Sequence, residues 1–439
     1  MRPRALIRIA AGVAALLLVG TASAAAGDDT PVMWQVPISG NQAGQLVAAG
    51  FDVAETGAEG VAYVTGTRQT AQSLRDMGYR PTQYDTIYKD LAPRQQQPRA
   101  LATTFYGGYR SVPDQEQHLA QVAGAHPDLA TVYDIGDSWL KTKGKSGHDI
   151  EAICLTKKHS GDCTLSTTSP KPKFTLMAQI HAREIATGEL AQRWIDYLVN
   201  GYGTDTTATS ILDTTEIWVI PIANPDGTDV VASGGNSPKM QRKNVDNARG
   251  GCTGTNLGID LNRNSTYKWG GDSNQACDET YQGPSKGSEP EVTALEKFFR
   301  SIYPVQRGTG DNDPAPVTAR GTMITLHSYG NDIIVPWGYT EKTSPNDAQL
   351  RALGKKMAAS NGYVVDTNGG TVGYETSGTT DDFTYGVLGV ASFTIEVGPS
   401  SGNCGGFFPK FSCLDSTFWP QMKGAFTAAA QAAAAPYKQ

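Results

Sequence analysis

The stretch from Lys173 to Glu189, KFTLMAQIHAREIATGE, restricts what this chain can fold into more than any other. Its apolar run, Phe174 to Ile180, reads as a buried strand, and from Glu184 to Asn200 the pattern turns helical. His181 and Glu184 stand at the junction, three residues apart. An imidazole and a carboxylate placed there can bend toward one point, and both are zinc ligands. Alone, the pair has a plainer reading: a His capping a strand and a Glu in the first turn of a helix. The rest of the chain decides between the two.

Further strands are expected at Ala130–Ile135, Asp149–Leu155, Glu216–Ile222, Met323–Leu326 and Ala391–Ile395. Helical patterns fall at Asp114–Ala125, Glu289–Ile302, Pro345–Ser360 and Ser416–Ala435. This alternation predicts an α/β fold, a mixed central sheet with helices on both faces, its first strands open to antiparallel pairing. Residues 31–88 read differently. Their order is βαββαβ, that of a small ferredoxin-like α+β unit, and they contain no His and no Cys. Between the two lies Lys89 to Thr103, KDLAPRQQQPRALAT, a connector in which Arg94 and Arg99 offer sites to a trypsin-like protease. At the start, Arg2, Arg4 and Arg8 precede an apolar stretch too short to span a bilayer, and small residues follow at Ala22 to Ala26. The expected organisation is a signal peptide over 1–26, a pro-domain over 27–88, a cleavable linker over 89–103 and a catalytic domain over 104–439.

A signal peptide implies a secreted, extracellular protein with no membrane segment after its removal. The six cysteines fit that compartment. All lie beyond residue 150, no C-x-x-C occurs, and the spacing suggests three local disulfides: 154–163, 252–277 and 404–413. The net charge of -6 argues against a nucleic-acid partner, which usually meets a basic footprint. A monomer is expected.

Several polar residues stand at the ends of expected apolar strands: His181, Asn224, His327 and Glu396. In open α/β sheets, sites form at the carboxyl ends of strands. His181, Glu184 and His327 then make a hydrolytic zinc set, two His and one Glu with an open fourth position. Glu396 closes the buried run FTIEV, a costly place for a carboxylate unless it is paired or used, and near zinc it could serve as a general base. The other histidines, His118, His126, His148 and His159, read as structural or solvated. Arg242 and the segment Ile259 to Asn264, with Asn262 and Arg263, add a candidate anion site, because guanidinium binds carboxylate in bidentate fashion. Asp311-Asn312-Asp313 could supply oxygen ligands to calcium, with a solvated turn as the plain alternative.

The strings HAREIATGE, NPDG, GIDLNRN, LHSYG, GYETSGTTDDFTYG and FTIEVG, in this order, resemble the zinc metallocarboxypeptidases of the carboxypeptidase A/B branch, and more particularly their secreted actinobacterial forms with a pro-segment. The resemblance covers roughly residues 104–420, and the upstream unit resembles that family's pro-segment. It implies a zinc peptidase that removes C-terminal residues from peptides and proteins. His181, Glu184 and His327 match the metal ligands. Glu396 matches the general base and Arg242 the residue that stabilises the oxyanion. Asn262, Arg263 and Tyr374 match the clamp on the substrate's terminal carboxylate, and Arg183 a further substrate-contacting arginine.

Asp381 matches the floor of the side-chain pocket, where a carboxylate implies preference for C-terminal Lys or Arg with large apolar residues tolerated. Asp382 is adjacent, so the inward-facing carboxylate is open at this stage. Two competing readings are a zinc amidase acting on cell-wall stem peptides and a non-catalytic binding protein of the same fold. The clamp and Asp381 weigh against the first, and Glu396 with three intact ligands against the second.

Overall fold

Four parallel strands make the centre of the molecule, and their sequences explain why. In the computed structural model, which describes residues 30–57, 60–89 and 104–438, these strands are buried along nearly their whole length. Parallel strands covered on both faces read as continuous apolar runs rather than alternating ones. The expected signal segment and most of the connector, with Arg94 and Arg99, lie outside the described residues.

The N-terminal unit comprises strands β1 (Val32–Pro37), β2 (Asp52–Gly57), β3 (Val61–Gly66) and β4 (Thr82–Thr86), with helices Gln42–Ala48 and Arg68–Asp76. All pairings are antiparallel in the order β2-β3-β1-β4, so β2 is an outer strand. One face carries Trp34, Val36, Val53 and Val64 against Leu46, Ala71 and Leu74 of the two helices. Met33, on the other face, joins the core of the C-terminal unit. The last strand begins at Thr82, after Gly78 turns the chain at φ +90°.

The C-terminal unit opens with a two-residue ribbon, β5 (Thr104–Phe105) and β6 (Tyr109–Arg110). Eight strands then form one sheet: β7 (Ala130–Asp137), β8 (Asp149–Leu155), β9 (Lys173–Ala178), β10 (Glu216–Ile220), β11 (Thr322–His327), β12 (Asp332–Ile334), β13 (Val364–Asp366) and β14 (Ala391–Glu396). Their order is β13-β12-β14-β11-β9-β10-β8-β7. The central β14, β11, β9 and β10 are parallel, while β7, β8 and β12 pair antiparallel with their inner neighbours.

Alternate residues feed two cores. Leu176 and Ile324 face helices Ile185–Gly201 and Trp419–Ala432 through Trp194 and Phe426. Met177 and Met323 face helix Pro290–Ile302 through Leu295 and Phe298. This is the mixed, two-faced α/β sheet that the pattern predicts. The three local disulfides form as spaced, at Cys154–Cys163, Cys252–Cys277 and Cys404–Cys413, all in this unit.

Two differences from the sequence reading matter for the site. β9 ends at Ala178, not Ile180, because Gln179 turns the chain at φ +47° and frees 179–184 as a loop. Helix Thr380–Leu388 was not expected, because its first turn carries two aspartates and reads as polar loop.

Candidate active site

The loop from Gln179 to Glu184 delivers two of the key side chains. Ala182 N–H donates to the Arg242 carbonyl, pinning the loop to the neighbouring chain, and Glu184 sits immediately before helix Ile185–Gly201. His327 is the last residue of β11 and lies directly beside Glu396, the last residue of β14, in parallel register.

His181, Glu184 and His327 are all buried, and one ligand atom from each lies within 4.8 Å of the others. Glu184 Oε1 is 2.8 Å from His181 Nδ1, and Glu184 Oε2 is 3.1 Å from His327 Nδ1. The two Nδ1 atoms face each other at 3.1 Å. The outer ring nitrogens are held elsewhere, His181 Nε2 by Asp260 at 3.2 Å and His327 Nε2 by Thr325 Oγ1 at 3.0 Å. Ligating histidines are oriented in this way by partners on the far nitrogen. Although burial opposes it, the two imidazoles hold the Glu184 carboxyl well below the usual carboxylate range. Two ring nitrogens and an ionised carboxylate converging on one buried point are a donor set that fits zinc. Among the described residues this is the one such group of three or more His, Cys, Asp or Glu. The 311–313 turn is instead engaged in loop contacts, Asp311 with Lys268 and Asp313 with Gly310 N–H.

Asp260 escaped the sequence reading. Its second oxygen accepts from Arg242 Nε and a terminal nitrogen at 3.1 and 3.0 Å, so one buried carboxylate orients both His181 and Arg242. The signal was present, an Asp inside an otherwise apolar and amide-rich run. Asn224 is structural. It caps the helix that begins at Pro225 and donates to the Ile180 and Arg242 carbonyls, tying the two site loops together.

Beyond the metal set lie Asn262 and Arg263. Asn262 Oδ1 accepts from Thr380 N–H and hydroxyl, which leaves its amide NH2 to donate. Arg263 is held through Nε by Asp272 at 3.0 Å and through a terminal nitrogen by the Asn262 carbonyl at 2.8 Å. Asp272 also accepts from Ser377 N–H and hydroxyl at 2.7 and 2.6 Å. The 371–380 segment lies directly on the Arg263 backbone. Gly378 has φ +62°, and a Cβ there would meet the Arg263 carbonyl oxygen at 2.5 Å.

The neighbouring aspartates separate cleanly. Asp382 is fully buried and accepts from Gly338 N–H and Tyr339 N–H at 3.1 and 3.3 Å. Burial, with the nearby Asp381 carboxylate, pushes its carboxyl well up. Asp381 lines the cavity. That same cavity is lined by His181, Arg183, Glu184, Arg242, Asn262, Arg263, His327, Tyr374 and Glu396, so the residues matched to metal, catalytic and substrate roles come together in one place, while Asn224 does not line it. The remaining histidines do not: His118 pairs with Asp196, and His148 bridges Glu116 and Asp229, each at 2.8 Å.

The mouth of this cavity is covered by β2. Asp52 grips Arg183 with two hydrogen bonds of 2.7 and 2.8 Å, and Val53 and Ala54 line the cavity. Thr56 hydroxyl donates to the Thr371 carbonyl at 2.9 Å, and Tyr374 hydroxyl to the Val53 carbonyl at 3.4 Å. Arg183 also faces Glu279 at 3.4 Å, whose carboxyl burial pushes up to about 6.

An open α/β sheet with a two-His, one-Glu donor set at the carboxyl ends of its central strands defines a metal-centre fold of the hydrolytic zinc kind. The family is narrower still. Zinc carboxypeptidase matches residues 115–422, and the chain belongs to that family. A zinc carboxypeptidase of Saccharothrix mutabilis subsp. capreolus is 29% identical over 311 residues, 70% of this chain and 65% of that protein. Carboxypeptidase B of Bos taurus is 30% identical over 301 residues, 66% of this chain and 63% of that protein. The chain thus spans a little under two thirds of the length of these curated relatives. The crystal structure of thrombin activatable fibrinolysis inhibitor shares the fold, with a TM-score of 0.69 at 21% identity over 94% of this chain and 100% of that one. No described helix is long and apolar enough to cross a membrane.

Proposed function

We propose that this chain is the precursor of a secreted zinc carboxypeptidase that hydrolyses the C-terminal peptide bond of peptides and proteins, preferring Lys or Arg as the released residue. On this reading residues 1–26 direct export and 27–88 cap the cleft. A trypsin-like protease cuts within 89–103, and 104–439 carry the activity. The observation that carries it is the convergence in one cavity of the metal donor set, the Asn262–Arg263 pair and Asp381. Three disulfides support an oxidising destination.

The geometry supports a division of labour. Arg263 and the Asn262 amide hold the terminal carboxylate of the substrate, so the penultimate carbonyl is the one presented to the metal side. An internal peptide bond has no such carboxylate and loses that positioning. Asp381 faces the terminal side chain, where a cation is paired and an apolar group leaves the carboxylate without a partner. Tyr374 stands at the mouth and closes over the bound residue. Zinc, when bound by His181, Glu184 and His327, supplies Lewis-acid polarisation and lowers the pKa of water. Glu396 takes a proton from the attacking water as the new C–O bond forms. Arg242, fixed by Asp260, donates to the oxygen that gains charge. Glu396 then passes that proton to the departing amine as the C–N bond breaks.

The test is release of the terminal residue from matched peptides ending in Arg, Lys, Phe, Leu and Glu by the trypsin-cut chain, with and without a zinc chelator. Chelator-sensitive release led by Arg and Lys is expected. Release led by Phe or Leu would keep the hydrolysis and discard the role of Asp381, and no release from any peptide would discard the activity.

A further inference from the structure

The loop that carries His181 and Glu184 is propped from inside by the residue that starts it. Gln179 takes a left-handed backbone, φ +47°, which a residue with a side chain adopts only at a cost. Such a conformation persists where its surroundings over-determine it. Here they do. The Gln179 side chain is buried, 1% exposed, and reaches across the turn. Its NH2 donates to the Ala182 carbonyl at 3.4 Å and to the Thr228 hydroxyl at 3.5 Å. Its Oε1 accepts from the Gln115 NH2 at 3.2 Å, and Gln115 accepts in turn from the Gln192 NH2 at 3.3 Å.

The backbone of Gln179 is held as well. Its N–H donates to the Thr187 hydroxyl at 3.2 Å, and that hydroxyl donates to the Glu184 carbonyl at 2.7 Å. One hydroxyl thus ties the first residue of the loop to its last. Its carbonyl accepts from Asn224 N–H at 3.1 Å. The following helix is shaped to fit. Gly188 stands in its first turn, where alanine would favour the helix more. A Cβ at that position would collide with Gln179 Oε1 and stand 2.9 Å from Gln179 Cδ, so the glycine makes a socket for one amide. Neither Gln179, Thr187 nor Gly188 lines the active-site cavity. All three are neutral, so they give the ligand loop its shape and add no charge to it.

Resting on the zinc site and not on the substrate preference, we infer that Gln179 is a positioning residue for the metal centre. Seated against Gly188, its amide holds residues 179–184 in ligand-binding shape before zinc arrives, and so sets how tightly the metal is kept. A loop already in shape has less conformational freedom to lose on binding.

The experiment measures zinc affinity by competition with a chromogenic chelator, together with the melting midpoint of the metal-free protein. It uses the full chain and its Gln179→Gly, Gly188→Ala and doubly substituted forms. Gln179→Gly keeps the left-handed turn and removes the amide, and zinc affinity should fall by about tenfold. Gly188→Ala fills the socket and should lower affinity at least as far. In the double variant the new methyl enters space that the amide has vacated, so affinity should stand above that of Gly188→Ala alone. A general loss of stability does not produce that recovery. Parental affinity in Gln179→Gly would overturn the role. So would losses that simply multiply in the double variant, or affinities that only track the metal-free midpoints. Each of these leaves the carboxypeptidase reading intact, because no substrate is present. A parent chain that binds no zinc would sink both.

Discussion

Arg242 and Arg183 stand in the same cleft and each is gripped by an aspartate, yet the two aspartates have different origins. Asp260 holds Arg242 from 18 residues away and at the same time orients His181. Asp52 holds Arg183 from 131 residues away, on the outer strand of another sheet. On the proposed activation, a cut in the connector would leave the first pair whole and permit the second to part. The floor of the cleft is built within the eight-stranded unit, whereas its mouth is closed by a strand of the N-terminal unit. A cleft can be assembled completely and still be shut, provided the shutting contact belongs to a separable piece of chain.

The harshest way to test that division is to break the floor. His327→Ala should abolish zinc binding and lower peptide release by about a thousandfold or more, with the N-terminal unit still folded. Metal content and residual activity on one preparation check it, and retained zinc with full activity would refute the donor set. Next, Asp381→Ala should lower release of Lys and Arg by about a hundredfold while Phe and Leu change little. An unchanged preference would move the selecting group elsewhere. At the mouth the effect is smaller and of opposite sign. Asp52→Asn should raise the activity of the uncut chain by about tenfold, through loss of the charge-assisted pair with Arg183, and leave the cut enzyme as it was. Equal activity of the two uncut chains would show that the pair does not hold the cap.

The mildest test uses pH and again concerns the floor. Beneath Arg242 and Asp260, Asn244 donates to both Glu289 and Glu291 and accepts from Ile259 N–H. Burial pushes Glu289 up to about 7, and burial together with the Glu289 charge pushes Glu291 up to about 8. Both carboxyls hold protons in the folded state that the unfolded chain has already released. Their contribution to stability is present in full below the unfolded value and is lost as pH rises toward 8. Denaturation midpoints measured between pH 5 and pH 8.5 should fall with pH, and Glu291→Gln should flatten the slope. An identical slope in the variant would place the loss in other groups.

Much of this was legible in the sequence because it is local. A strand buried on both faces needs an unbroken apolar run, and whatever polar residue ends that run stands at the sheet's edge. His327 and Glu396 were readable for that reason, and they prove to be register partners on adjacent strands. His181 and Glu184 were readable despite the strand ending at Ala178, since three residues of loop keep them together. Each disulfide closes a short loop, so spacing alone suggested the pairs.

Asp260, Asp272 and Glu279 were passed over, because a carboxylate's importance depends on which cation faces it, and spacing carries no such information. The same limit applied to Asp381 and Asp382. Neighbours in one helical turn, they differ only because the Gly338 and Tyr339 amides claim one and not the other. The sequence by itself pointed to the class of sheet and the cysteine pairs through periodicity and short-range spacing, and to the metal donors through their places at strand ends and the family resemblance. Only the tertiary structure decided that β2 lies across the mouth with Asp52 on Arg183, since an ion pair across 131 residues exists only once the two sheets are packed together.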